Sequence, residues 1–403
     1  MDTSRLRFIS NRSGTNLKDL VVKYFAKNLE QKNRKPFLAS QPNNVKAKHF
    51  PSGEVYPRLV DNARRKNVHA IFSFHNPNLY MMKKTITRSN IDFQRKAEII
   101  EEYINSTESD FREATKILDS ARRSGVNEIS FYLTQFPDAR QDKKDESRVP
   151  ISASLNLKNL IHSAEPKVGR IGAVDLHSKQ IQGMDVLPFD EIRCTDLFYA
   201  HMRYTMDSFE DVVMLLVDAG SYKRYAKDIE LFKLTYGFVP KAARTEHNRV
   251  NAGKYNGPDL KDKIVVMLDD MVDTGGTIDN ALTLAEKQGA KETRVYAAHG
   301  ILGTEVIRDK KTKKATEIKY AEDKFKGRNV KFYFSDSVAR NKEYLKEHKD
   351  WIQMFTIAPF ISDLIYCNET GSSHGEIIDR FRKIAQEGKK KELKKEIKRY
   401  FIY

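Results

Sequence analysis

Seven short apolar runs limit what this chain can become: HAIFSF (69–74), EISFYL (128–133), VGRIGAVDLH (168–177), DVVMLLVDAG (211–220), IVVML (264–268), RVYAAHG (294–300) and VKFYFSDSV (330–338). None alternates cleanly between apolar and polar, so both faces of each strand must be covered. Stretches of helical spacing lie between them. One is 109–125, with Phe111, Ala114, Ile117, Leu118 and Ala121 at helical intervals. Apolar strands separated by helices predict an α/β fold with a mostly parallel sheet covered by helices. The 403 residues suffice for two such domains.

The strands end in DLH, DAG, LDD, AHG and SDS. In open α/β sheets ligands bind beyond the carboxyl ends of the strands, so these endings predict a site. The richest is LDDMVDTGGT (268–277). A Gly- and Thr-rich turn leading into a helix exposes successive backbone N–H groups, which cradle an anion. Gly275 and Gly276 let a phosphate approach without a Cβ in the way, and Thr274 and Thr277 add hydroxyl donors. Asp269 and Asp270 would repel that phosphate, but suit the hydroxyls of a sugar or a hydrated Mg²⁺. The loop therefore reads as a sugar-phosphate site.

Composition excludes several classes. Hydrophobic content is 40% and charged content 31%. No apolar run approaches the roughly 20 residues of a membrane span. MDTSRLRFIS lacks the apolar core of a signal peptide, and Cys194 and Cys367 make neither a disulfide framework nor a metal spacing. A reducing cytoplasm is the expected location. The net charge of +16 favours anionic partners. Its excess lies in 308–328 and in KKKELKKEIKR (389–399), both read as solvated charged faces. No zinc-finger or aromatic-basic signature suggests nucleic acid. Two stretches, 80–109 and 304–328, interrupt the alternation and read as surface insertions. Beyond Gly375 a basic amphipathic helix is expected, with Ile377, Ile378, Phe381 and Ile384 on its apolar face.

LDDMVDTGGT resembles the sugar-phosphate loop of phosphoribosyltransferases and of ribose-phosphate pyrophosphokinases. DARQDKKDESRVPISASL (138–155) is similar to the ATP-binding segment of the pyrophosphokinases, and VDLHSKQIQG (174–183) to their metal-binding segment. VDAGSYKR (217–224), AAHGILG (297–303) and HFPSGE (49–54) match further segments in the same order. The resemblance implies two stacked phosphoribosyltransferase-like domains, 1–190 and 191–370, followed by a basic helical tail, 371–403. It also implies transfer of the β,γ-diphosphoryl group of ATP to the C1 hydroxyl of ribose 5-phosphate. That chemistry calls for Mg²⁺ and cationic side chains around a triphosphate.

By resemblance, His177 and Asp218 contact Mg²⁺, with Asp175 and Asp190 nearby. Asp273, Thr274, Gly275, Gly276 and Thr277 hold the 5-phosphate, and Asp269 and Asp270 face the ribose hydroxyls. Arg140, Gln141 and Asp145 lie on the ATP segment. Phe50, Ser52 and Glu54 reach the ATP of a neighbouring subunit in a homo-oligomer built from dimers, often a hexamer. Lys241, following YGFVP, matches the family's catalytic lysine; its arginine partner is Arg244, one residue beyond the usual spacing, or Arg249. Ser52 stands where the family has Asp or Asn, and Val186 where it has an acid. These departures keep two alternatives open: the same chemistry on a larger ribose such as ADP-ribose, or a non-catalytic regulatory subunit.

Overall fold

The seven runs form the interior of two parallel sheets. The computed structural model describes residues 2–31, 45–52, 54–104, 106–206, 208–217, 219–239, 255–387 and 390–401. The chain splits into two compact units: Met1–Cys194 with Asp336–Tyr344 and Thr356–Asp379, and Thr195–Ser335 with Leu345–Phe355 and Arg380–Tyr403. This division is not linear along the sequence. Residues 336–344 and 356–379 return to the first unit, whereas the linear reading placed a boundary near 190 and a tail from 371.

In the first unit the strands are β1 (Leu6–Ser10), β4 (Asn67–Phe72), β5 (Glu128–Leu133), β6 (Val168–Val174) and β7 (Phe189–Ile192), all parallel and in the order β1-β4-β5-β6-β7. An antiparallel hairpin, β2 (Val45–His49) and β3 (Val55–Leu59), stands apart from this sheet. β4 shows why its sequence does not alternate. Val68, Ala70 and Phe72 join the core that includes helices Ser106–Arg123 and Ser152–Ala164. On the opposite side His69 meets Glu369, Nε2 to Oε1 3.0 Å, from helix Ala358–Thr370. The expected helix over 109–125 runs over Ser106–Arg123, with Ala114, Ile117, Leu118 and Ala121 fully buried. The stretch 80–109 is largely helical, with Leu79–Arg88 and Phe93–Ile104 preceding it.

The second unit holds β8 (Val212–Leu216), β9 (Thr235–Phe238), β10 (Ile264–Val272), β11 (Glu292–Gly300), β14 (Val330–Ser335) and β15 (Ile352–Phe355). They run parallel in the order β15-β14-β11-β10-β8-β9. β12 (Thr304–Arg308) and β13 (Ala315–Tyr320) make a separate antiparallel hairpin. The basic tail is not one solvated helix. It forms His374–Glu387 and Lys390–Ile397, and the second packs on helix Thr195–Thr205. Leu393 and Ile397 are fully buried and Tyr400 nearly so, because every third or fourth residue of the lysine-rich end is apolar.

Asp336, just past β14, accepts a hydrogen bond from the Ile357 N–H at 2.8 Å. Burial raises its pKa from 3.8 to about 7. The folded protein thus keeps this proton up to about pH 7, while the unfolded chain releases it near 3.8. Between those values the folded state binds more protons, so this group's stabilisation is present at low pH and lost as pH rises. Asp336→Asn has no proton to lose. We expect the fall in its melting temperature between pH 5.5 and 8 to be smaller than wild type's by a few degrees. Parallel pH dependences in the two proteins would refute this.

Candidate active site

The strand that carries the acids is longer than its apolar run. Pairing with β11 continues to Val272 opposite Gly300, so Asp269 and Asp270 lie on β10 itself rather than in the following loop. Asp270 is buried and paired with Arg224, from helix Ala219–Phe232, at 3.2 Å. Asp269 Oδ1 accepts the Asp270 N–H at 2.9 Å. Burial, and then the neighbouring Asp270 charge, holds the Asp269 pKa well above the carboxylate range. An adjacent acid pair in this state favours donors or a cation that would relieve it.

The chain then turns through Asp273 and Thr274 to Gly275, which caps helix Gly276–Lys287 in the left-handed conformation at φ +74°. A Cβ at Gly275 would lie 2.7 Å from the Phe325 ring. At Gly276 the nearest atom to such a Cβ is Thr274 Oγ1 at 4.0 Å, so that side of the turn is open. The first N–H groups of a helix have no intrahelical acceptor and suit an anion. The carbonyl side is held. Leu302 N–H donates to the Val272 carbonyl at 3.0 Å, Gly303 N–H to that of Asp273 at 3.1 Å, and Lys324 Nζ to that of Thr274 at 2.6 Å.

The stretch 308–328, read as a solvated charged face, therefore is not solvated along its whole length. Phe325 is fully buried, 4.7 Å from the Phe332 ring, and Arg328 pairs with Asp279 and Glu286 of the helix that follows the turn. The turn is built from three places in the sequence, and only the one at Lys324 and Phe325 carried no recognisable signal.

The remaining expected residues fall in separate places. Gln141 is held by Ser152, whose hydroxyl donates to Oε1 at 2.6 Å; Arg140 and Asp145 are exposed on the same loop. Phe50, Ser52 and Glu54 form the exposed tip of the β2–β3 hairpin, where Ser52 Oγ donates to Glu54 at 3.1 Å. Asp175 accepts the Cys194 N–H at 2.7 Å, and burial pushes its pKa to about 6. Asp190 sits within β7 opposite Gly172 and pairs with Arg170 at 2.9 Å. Both carboxylates are thus committed to protein partners. His177 is half-buried on the loop after β6. Asp218, Lys241, Arg244 and Arg249 lie outside the described residues. Among the described residues no three His, Cys, Asp or Glu side chains converge as a metal cluster.

Sequence reasoning missed Arg224, Lys324 and Phe325 as parts of this site. Arg224 lay inside the quoted VDAGSYKR, where a cation one helical turn beyond an acidic strand end was a usable signal. Lys324 and Phe325 had none, being about fifty residues from the turn they touch.

Known proteins match along the chain. The N-terminal domain of ribose phosphate pyrophosphokinase matches residues 7–164, and the phosphoribosyl transferase domain matches 190–336. The ribose-phosphate pyrophosphokinase of Corynebacterium glutamicum is 31% identical over 260 residues, covering 63% of this chain and 69% of the relative. That of Rhodopirellula baltica is 28% identical over 265 residues, 66% of this chain and 73% of the relative. The crystal structure of phosphoribosylpyrophosphate synthetase from Mycobacterium smegmatis has the same fold, with a TM-score of 0.66 at 24% identity over 91% of this chain and 100% of that one. With the acid pair and the open amide turn in place, these matches make this chain an enzyme of the ribose-phosphate pyrophosphokinase family.

Proposed function

We propose that this enzyme transfers the β,γ-diphosphoryl group of ATP to the C1 hydroxyl of ribose 5-phosphate, giving phosphoribosyl pyrophosphate and AMP. The observation that carries the reading is the order along β10: two acids on the strand, then a turn open at Gly276 and leading into a helix N-terminus. A ribose 5-phosphate fits that order, with its phosphate on the 273–277 amides and hydroxyls and its ring hydroxyls donating to Asp269 and Asp270. Binding there fixes the C1 oxygen for attack on the β-phosphorus, which breaks the α–β bridge and releases AMP. Positioning of this kind supplies a large share of such a rate enhancement.

Mg²⁺ suits the donor set, since Asp269 and Asp270 are hard oxygen ligands beside a site for phosphates. Such an ion completes its shell with waters and phosphate oxygens. In the second unit Asp269 and Asp270, with Asp218, would hold it; His177, Asp175 and Asp190 of the first unit are assigned to a metal by resemblance alone. When bound, it neutralises triphosphate charge. Arg140 and Gln141 are assigned to ATP. The exposed hairpin tip at Phe50 is assigned to the ATP of a neighbouring subunit, which makes the working form a homo-oligomer.

Incubating the purified protein with ATP, Mg²⁺ and either ribose 5-phosphate or ADP-ribose, with mass detection of AMP and product, tests the acceptor. Ribose 5-phosphate should gain 2 phosphoryl groups, as the reaction class requires. Product from ADP-ribose alone would overturn that acceptor. Binding of both substrates with no product from either would favour a regulatory subunit.

A further inference from the structure

We infer that Lys324 is a positioning residue for the sugar phosphate: it aims the amides of the Thr-Gly-Gly-Thr turn by gripping the turn's carbonyl side. This rests on the proposed use of 273–277 as the phosphate cradle. In a trans peptide the C=O and the following N–H point in opposite directions. Lys324 Nζ lies 2.6 Å from the Thr274 carbonyl, so the N–H of Gly275, in the same peptide unit, is directed away from Lys324. Leu302 and Gly303 hold the two preceding carbonyls through their own N–H groups. Three consecutive peptide units are therefore oriented from one side.

Lys324 differs from the other two grips because it carries charge. An ammonium on a carbonyl polarises that peptide and strengthens its N–H as a donor. Glu305, on β12, lies 3.7 Å from the same Nζ and ties the lysine to the hairpin. Phe325, next in the chain, occupies the space beside Gly275 and bars the turn from relaxing toward it. The hairpin and the short segment after it thus act on the cradle from behind without touching the ligand. Their expected signature is selective: affinity for the sugar phosphate depends on Lys324, and affinity for ATP does not.

The test uses the full-length enzyme with Lys324→Met and Lys324→Arg. Calorimetric titration with ribose 5-phosphate should show affinity about tenfold weaker in Lys324→Met, the effect of losing one charge-assisted hydrogen bond. The KM for ribose 5-phosphate should rise in parallel, while the KM for ATP stays within about twofold. Lys324→Arg keeps a charged donor and should bind within about threefold of wild type. Wild-type affinity in Lys324→Met would overturn the inference while leaving the proposed function standing. Equal losses of ATP and sugar-phosphate affinity together with a lower melting temperature, or no rescue by Arg, would also overturn it in favour of a purely structural role. Failure of the wild-type enzyme to bind ribose 5-phosphate would remove the proposed function and this inference with it.

Discussion

Gly276→Val should abolish product formation in a protein that still folds, whereas Gly275→Val should damage the turn itself. The two glycines are neighbours, and their surroundings separate them. A side chain at Gly276 enters open space, with Thr274 Oγ1 at 4.0 Å from the Cβ position. Its backbone is the first residue of a helix, which any L-residue can adopt. Valine there obstructs only what comes to the turn from outside. At Gly275 a Cβ would sit 2.7 Å from the buried Phe325 ring, on a backbone at φ +74°. The left-handed conformation costs a non-glycine residue about 1–2 kcal/mol, and forcing a side chain into a packed wall costs about 1–3 more. Melting temperatures and turnover measured together decide this. Gly276→Val should melt like wild type and make no product, and Gly275→Val should melt lower. Wild-type turnover in Gly276→Val would remove the turn from the site.

Lys241→Ala should lower kcat by about a hundredfold or more with a smaller change in KM, as loss of a contact made only in the transition state requires. β9 ends at Phe238, and Lys241 follows YGFVP, which by resemblance to the family marks a strand and the loop carrying its catalytic lysine. Attack at a β-phosphorus builds charge on the transferring group, and a compact ammonium is suited to meet it. Arg244→Ala and Arg249→Ala belong in the same series, because the family's usual spacing falls on Ala243 and these two are the candidates to take the arginine's place. A raised KM with kcat preserved in Lys241→Ala would make the lysine a binding residue and refute this role.

The sheet interiors were legible because burial on both faces leaves a continuous apolar run, as β8 and β11 do. The edge strands were not. β7 (FDEI) is short and partly exposed, so it carries polar residues and resembles a loop, and β9 (TYGF) was placed only through the resemblance of YGFVP. The acids and glycines of 269–277 were legible as chemistry, since few turns need both. Their supports were not. Arg224, Lys324 and Phe325 act through contacts that the fold creates, and only Arg224, inside VDAGSYKR, had a signal in its own neighbourhood. The lysine-rich end, 389–399, was read as a solvated face for a related reason, although its helical character was expected. Its lysines dominate the composition, while Leu393, Ile397 and Tyr400 hold it to the second unit.

The return of the chain to the first unit has a consequence for how the protein is made. On the ribosome, residues up to Cys194 emerge early, but they lack helix Ala358–Thr370, which covers one face of their sheet. His69 then has no Glu369, Asn28 lacks its bond to Asp363, and the apolar stripe of Ile361, Leu364 and Ile365 has yet to be translated. Elongation through the second unit takes on the order of ten seconds or more. For that interval the apolar surface that this helix covers, including the flank of helix Thr15–Gln31 on which it packs, waits for a segment translated late.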